Sequence, residues 1–543
     1  MAEIVVIGGG IAGCAAALKL ADAGHQVTLL EGRDELLAGS SDDTPCRLGL
    51  GFHYLDFDTA CKYLRASIRV VRTFRGEINL RLGEEKELND PLRRGRYFVV
   101  PTKINLFNTI KILEFYEQLK DEYARLVGED PKNEVFGPPA EFYKELAVDE
   151  YKDDVNTQKV FAGIETAEHV LNWPDFREYY SKLVEQHDNI TVRTGIEVDK
   201  IEYDNQCSAH KVIAKTKTGD DCEFLGTDIV NSSWQNIEAI EQKSGSYVAP
   251  KPRTNRVKVI ISVNLPEGFE NKNSMFFCFG AHCSFTNVGN NIGWITYEPV
   301  TNVATSTGLV LPEELQRLVA GNASEKEKLE YGRRILDGVA SYIPAFAAVQ
   351  DKDIVSTKFG VVRTEGTSAD INSPESKIHK RDKLGVTSNA NGRIQNPAMK
   401  LLYFLENADV VNALITQHEV ARELATRITE QVLPNLDGDR HLKAAVKSNV
   451  IEALSAFPNP NNDTELQNMA LPNSLDNTGK DLLATLDNAA EPVLMTFEKA
   501  TDTVRGTVEN KLQFLGLFAS RVQNCDRDEV ITPSAIKRAA LAT

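Results

Sequence analysis

Apolar residues occur along this chain as short unbroken runs and as stripes recurring every three or four positions, and the order of the two predicts its elements. Ile4, Val5, Val6 and Ile7 form a run suited to a strand buried on both faces. A small-residue helix is expected from about Ile11 through Ala17, ended at Gly24 where a left-handed cap is wanted, and Val27 to Leu30 predicts a second strand. From Thr59 to about Lys152 helical segments mix with a strand-like Tyr97-Phe98-Val99-Val100, and Ile104 to Val127 has the spacing of an amphipathic helix ended at Gly128. Strand signals return at Ile190-Thr191-Val192, at Gly195-Ile196-Glu197-Val198, in a hairpin of Lys211 to Lys217 with Cys222 to Leu225, and at Asp228-Ile229-Val230-Asn231. Coming after an insertion, these strands are expected to rebuild the sheet begun at the N-terminus. Between Arg256 and Thr296 the runs Val257 to Val263, Met275 to Phe279 and Ile292 to Ile295 read as a second, antiparallel sheet. A helix-rich stretch from Pro312 to Tyr342, a strand at Phe359 to Arg363 and a long closing helix or helix pair from Leu401 to Ile428 complete this part.

Beyond Pro434 the pattern changes. Polar stretches such as Phe457-Pro458-Asn459-Pro460-Asn461-Asn462 separate helical pieces, and Val493, Phe497, Ala500, Val504, Val508, Leu512, Leu515, Ala519 and Val522 form one apolar stripe. That stripe either packs on the body of the protein or binds a protein partner.

The first strand stops at Gly8-Gly9-Gly10-Ile11-Ala12-Gly13, a G-x-G-x-x-G at a strand-to-helix junction. Gly8 permits the tight turn, Gly10 leaves no Cβ to block a pyrophosphate, and Gly13 lets the helix lie close to the strand. The helix starting at Ile11 and Ala12 offers free N–H groups and the positive end of its dipole to phosphates. Glu31 closes the second strand, where a carboxylate accepts the hydroxyl protons of an adenosine ribose. Glu31-Gly32-Arg33 and the small polar stretch Gly39-Ser40-Ser41, which could approach a pyrophosphate and ribityl chain, favour FAD over NAD.

A chain of 543 residues is expected to divide into about two or three domains. With 61 Lys and Arg against 78 Asp and Glu, the formal charge of −17 argues against nucleic acid or an anionic membrane surface as a partner. No apolar stretch has the length of a membrane span, and no basic, signal-like prelude precedes the first strand, so a cytoplasmic protein is expected. The eight cysteines show no C-x-x-C and the nine histidines no H-x-x-x-H, so no metal is expected. Arg93-Arg94-Gly95-Arg96 reads as a solvated turn.

The opening fingerprint, Gly39-Ser40-Ser41 leading to Arg47-Leu48-Gly49-Leu50-Gly51-Phe52-His53-Tyr54, the strand Asp228 to Asn231, and Arg363 before Lys400-Leu401 together resemble the FAD-dependent oxidoreductases of the D-amino acid oxidase superfamily. The resemblance runs over roughly residues 1 to 430 and leaves the tail outside it. It implies an α/β fold: a discontinuous Rossmann-like FAD-binding domain (1–60, 155–250 and 355–434) and an α+β substrate domain on an antiparallel sheet (61–154 and 251–354), to which the tail's own pattern adds a helical C-terminal extension (435–543). It also implies oxidation of a C–N or C–O bond of a small amine, amino acid or hydroxy acid, with a hydride passing to flavin N5. Val198 corresponds to a residue whose backbone meets the adenine. Leu48-Gly49-Leu50 stands where many relatives carry a histidine, in some of them the covalent flavin anchor, so the FAD is expected to be non-covalent. Ser233-Trp234 stands where relatives run into a glycine, and Asn396-Pro397-Ala398-Met399-Lys400 replaces a glycine-rich turn.

Flavin carries the electron chemistry, so the protein has to orient a substrate and stabilise charge. His53, followed by Tyr54, is either a base for a substrate proton or a hydrogen-bonded core histidine. Arg363 stands where the resemblance implies a fork for a substrate carboxylate, and a surface ion pair is the other reading. Lys400, with Leu401 and the helix start after it, could stabilise negative charge on reduced flavin or be a solvated lysine. Tyr403 reads as packing, and Arg47 pairs with either a phosphate or a substrate acid. A flavin monooxygenase would need a second nucleotide-binding loop or a late Gly-Asp ribityl motif, and neither is evident. A flavoprotein scaffold whose C-terminal helices bind a partner is the reading from a different class.

Overall fold

The computed structural model describes residues 2–432 apart from 43–46, 55, 78–93, 102–108, 205–208, 247–252, 279, 281, 366–382, 389–392 and 398–399. The C-terminal extension and its apolar stripe, Arg93, Ala398 and Met399 therefore lie outside the described residues.

The chain opens with β1 (Glu3–Ile7), α1 (Ile11–Asp22) and β2 (Gln26–Leu30). It continues through β3 (Arg47–Leu48), α2 (Phe57–Phe74), β4 (Gly95–Val99), α3 (Thr109–Glu129), β5 (Tyr143–Leu146), β6 (Ala162–Thr166) and β7 (His169–Val170). Then come α4 (Trp173–Glu185), β8 (Ile190–Arg193), β9 (Ile196–Asp204), β10 (Ala209–Thr216), β11 (Asp221–Gly226), β12 (Asp228–Asn231) and α5 (Ile237–Lys243). A further stretch holds β13 (Arg253–Asn264), β14 (Ser274–Cys278), β15 (Cys283–Asn287), β16 (Ile292–Tyr297), α6 (Glu298–Thr301), β17 (Asn302–Ser306), α7 (Glu313–Val319), α8 (Glu325–Ala340) and β18 (Ile354–Glu365). β19 (Thr387–Ser388), β20 (Arg393–Gln395) and α9 (Phe404–Val432) close the described part.

The first sheet has the order β19-β20-β12-β1-β2-β8 and is parallel except for β19 against β20. β1 sits inside it, which is why all of Ile4, Val5, Val6 and Ile7 are buried. Ile4 and Val6 face a core shared with α1, while Val5 and Ile7 face another with Ile201, Val212 and Ile240. α9 packs on α1.

The second sheet runs β17-β13-β16-β15-β14-β4-β6-β5, with β18 along the other edge of β13. Alternation gives it two different faces. Phe98, Val259, Val263, Phe277, Phe285, Ile295, Phe359 and Val361 point into a core closed by Ile335, Leu336 and Val339 of α8. On the opposite face Ile164, Tyr97, Phe276, Ser284 and Thr296 stand in one line across five strands, and Lys358 lies over the Trp294 ring at 5.3 Å.

Four sequence expectations need correction. β9, β10 and β11 form their own three-stranded antiparallel sheet, because only β8 and β12 of that series join the parallel one. β18 extends the large sheet by pairing with β13 from Arg253↔Glu365 to Val263↔Ile354, and β6 also belongs there, so neither falls in the first domain as 155–250 and 355–434 would have it. α3 (Thr109–Glu129) runs through Gly128 instead of ending there, and the expected helix residues before Thr109 lie outside the described residues. Arg96 is a strand residue of β4 paired with Glu165 at 3.4 Å, not part of a solvated turn.

Candidate active site

The three motif glycines have separate duties. Gly8 has φ +100°, and a Cβ there would stand 2.7 Å from the Ser232 carbonyl oxygen. A Cβ on Gly13 would fall 1.8 Å from the Gly8 oxygen, so α1 can cross the turn only without a side chain at this position. At Gly10 a Cβ would meet nothing within 4 Å except Ser41 Oγ at 3.4 Å. That side of the loop is bare main chain.

Ser41 Oγ accepts from Ile11 N at 3.1 Å, so the small-residue loop delivers a hydroxyl to the N-terminal turn of α1. Glu31 Oε2 accepts from Gly9 N at 2.6 Å and Oε1 from Arg33 N at 2.8 Å, which pins the carboxylate at the mouth of the glycine turn. Gly32 and Arg33 are exposed, and the Arg33 guanidinium donates to the Ala38 carbonyl, folding the loop that carries Gly39 and Ser40. Gly195 N donates to Arg33 O and Ile196 N to Glu31 O, both at 2.9 Å, so β9 and its Val198 start beside the same acid. A bare backbone turn, a helix N-terminus, a hydroxyl and an adjacent carboxylate are the donor set that an adenine dinucleotide requires, and these residues fit FAD.

Asp42, next to Ser41, ties this loop to the large sheet. Trp173 Nε1 donates to its Oδ1 at 2.7 Å and Lys358 Nζ to its Oδ2 at 2.6 Å. Burial pushes the carboxyl up, but the hydrogen bonds from Lys358 and Trp173 outweigh it and hold it below the usual aspartate range. K358M is expected to remove about 1–2 kcal/mol of loop ordering, which a FAD titration should read as roughly five- to thirty-fold weaker binding.

The loop that follows brings the predicted residues into one aromatic cluster. The His53 ring lies 4.4 Å from Phe276 and 4.9 Å from Tyr54, both edge-on, and Lys400 Nζ is 5.0 Å from the Tyr54 ring centre. His53 is exposed, which removes its reading as a core histidine. Lys400 caps the single turn Leu401–Tyr403 that leads into α9, and Tyr403 is fully buried packing. Arg363 is not brought to this cluster. Its alternation in β18 matches Phe359 and Val361 rather than Lys358, its Nη1 donates to Gln235 O at 3.1 Å, and its Nη2 pairs with Glu238.

Sequence reasoning missed Glu168, Tyr97, Phe276 and Lys358. Glu168 is 3 % exposed; its Oε2 accepts from Tyr97 Oη at 2.7 Å and from Leu50 N at 3.1 Å, which fixes the loop carrying His53. Burial raises the Glu168 carboxyl above the usual range, against the opposing pull of Arg47 and the Tyr97 hydrogen bond. Burial likewise pushes the Tyr97 phenol well up, and the neighbouring Glu168 adds to it. No local spacing announces these residues, because strand pairing assembles them from distant segments.

A discontinuous dinucleotide-binding sheet joined to a large mixed sheet through a glycine cradle defines an α/β nucleotide-cofactor enzyme. The chain belongs to the DAO family of FAD-dependent oxidoreductases, whose sequence pattern it matches over residues 3–364, and FAD is its cofactor. Among solved structures it is similar to glycine oxidase from Geobacillus kaustophilus, at 14% identity and TM-score 0.50, covering 76% of this chain and 94% of that one. It is also similar to L-proline dehydrogenase from P. horikoshii (15%, TM-score 0.50, 76% and 93% covered). L-amino acid deaminase from Proteus vulgaris is a third such structure (11%, TM-score 0.51, 76% and 93% covered). At these identities the likeness is one of fold. No curated protein matches the sequence. Among the described residues no helix is long and apolar enough to cross a membrane.

Proposed function

We propose that this enzyme oxidises a C–N or C–O bond of a small amine, amino acid or hydroxy acid. FAD, when bound, supplies the two-electron acceptor for the substrate hydride. The observation that carries the reading is that one wall joins both domains: Phe276 of the large sheet meets His53, and Lys358 of the same face meets Asp42 beside the cradle. An imidazole ordinarily titrates near neutrality, and exposed His53 is the group on this wall suited to take the proton that leaves a substrate hydroxyl or ammonium. Tyr54 and Phe276 contact its ring edge-on, and the Lys400 Nζ lies 5.0 Å from the Tyr54 ring centre. Glu31, Ser41 and the backbone at Gly10 and Ile11 would hold the cofactor, with Val198 beside the adenine. Leu48-Gly49-Leu50 offers no nucleophile, which supports non-covalent attachment.

Mixing the holoprotein anaerobically with a panel of amines, amino acids and 2-hydroxy acids tests the reading. Bleaching of the oxidised flavin by at least one class is expected, with H53A slowing reduction by about a hundred-fold. An oxidised spectrum that persists across the whole panel counts against it.

A further inference from the structure

Ser388 of β19, His418 of α9 and Asp228 at the start of β12 come from three separate segments and meet in a line. His418 Nδ1 lies 2.9 Å from Asp228 Oδ1, and its Nε2 lies 3.2 Å from Ser388 Oγ. A carboxylate only accepts, so in the neutral ring the proton sits on Nδ1 and the Nε2 lone pair faces the serine hydroxyl. Asp228 is 1 % exposed and His418 2 %, and the acid is held by both terminal nitrogens of Arg422 and by Thr227 Oγ1 at 3.1 Å, which keeps the ring in place. Ser388 is half-buried on the edge strand of the six-stranded sheet. Asp228 starts β12 at the end opposite Asn231, which leads to the glycine turn, so the group stands outside the flavin chemistry. A hydroxyl, an imidazole and a buried carboxylate, in this order and at these distances, are the groups that activate a serine for attack on a carbonyl.

We propose that Ser388 and His418 form a second, flavin-independent catalytic site that hydrolyses small carboxylic esters. Ser388 Oγ bonds to the ester carbonyl carbon as its proton passes to His418 Nε2. The bond from that carbon to the alkoxy oxygen then breaks, and the alcohol leaves with the proton. Water attacks the acyl-serine and gives a proton to Nε2, and the carboxylic acid is released as the proton returns to Ser388 Oγ. The cycle consumes only water and ester. A half-buried hydroxyl restricts the acyl group to a small one. Arg422 shares the Asp228 carboxylate, which weakens the support an imidazolium draws from it, so slow turnover and a trappable serine adduct are expected. The site is independent of the oxidase reading, which stands or falls without it.

Holoprotein treated with a fluorophosphonate probe and digested, and separately supplied with p-nitrophenyl acetate, tests this. An adduct is expected in the tryptic peptide 384–393, on Ser388, and nitrophenolate release should exceed that of S388A by about a hundred-fold. S388A leaves the bonds among Asp228, His418 and Arg422 in place, so its flavin content and thermal unfolding should match the parent. H418Q, at a temperature where it keeps its flavin, should form the adduct about a hundred-fold more slowly. Labelling of the parent requires no variant to fold. Absence of an adduct, an adduct on another residue alone, ester hydrolysis by S388A at the parent's rate, or labelling of H418Q at the parent's rate overturns the assignment.

Discussion

G10V is expected to empty the protein of FAD while leaving its fold standing. Gly10 has φ −73° and ψ 179°, an extended backbone open to any residue, and its Cβ direction meets only Ser41 Oγ at 3.4 Å. Two methyl groups there project into the space a diphosphate must enter. Affinity should fall by about a hundred-fold or more, since the N–H groups of the first helical turn are lost as phosphate donors. Valine is a poor N-cap, but that costs the apoprotein only about 1 kcal/mol. Far-UV circular dichroism and thermal unfolding of the apoprotein should therefore match the parent closely while a FAD titration does not. G13A is the contrasting variant, because its methyl collides with the Gly8 carbonyl and the βαβ unit itself must shift.

D228N should cost about 3–5 kcal/mol of stability. Asp228 begins β12 and is 1 % exposed; it accepts from Arg422 Nη1 at 2.9 Å and Nη2 at 2.8 Å, and contacts His418 Nδ1 at 2.9 Å. These bonds clamp α9 across the end of the parallel sheet. Burial alone would raise the carboxyl, yet hydrogen bonds from His418 and Arg422 bring it from 3.8 down to about 2. A depressed folded-state value means stability that is present above about pH 4 and lost as pH falls through about 2, amounting to about 2 kcal/mol. Thermal unfolding followed against pH should show the parent well above D228N near neutrality and the gap narrowing, by about 2 kcal/mol in all, as pH falls through about 2. A gap independent of pH would assign the loss to packing instead.

The cradle was legible in the sequence because its determinants are local. A buried run, glycines at fixed offsets and a closing acid are all constrained within about thirty residues. β15 was not legible, since Cys283–Asn287 offers polar Ser284 and Thr286 on the face where an apolar run would have marked a strand. β18 was visible as a strand, but its partner was not, so Phe359 to Arg363 was assigned to the wrong sheet. The same limit governs the site. His53, Tyr54 and Lys400 were found from their neighbours in sequence and do converge. Nothing local reveals that Glu238 and Gln235 engage Arg363, or that Glu168 and Phe276 flank Arg47.

The central claim is that the glycine-rich turn, Ser41 and Glu31 hold FAD without a covalent bond. It is tested most directly by measuring flavin stoichiometry in the purified or FAD-reconstituted protein and then precipitating it with acid. One FAD per chain, released entirely into the supernatant, is the predicted result. A colourless protein that takes up no added FAD, or flavin that stays with the pellet, would contradict it.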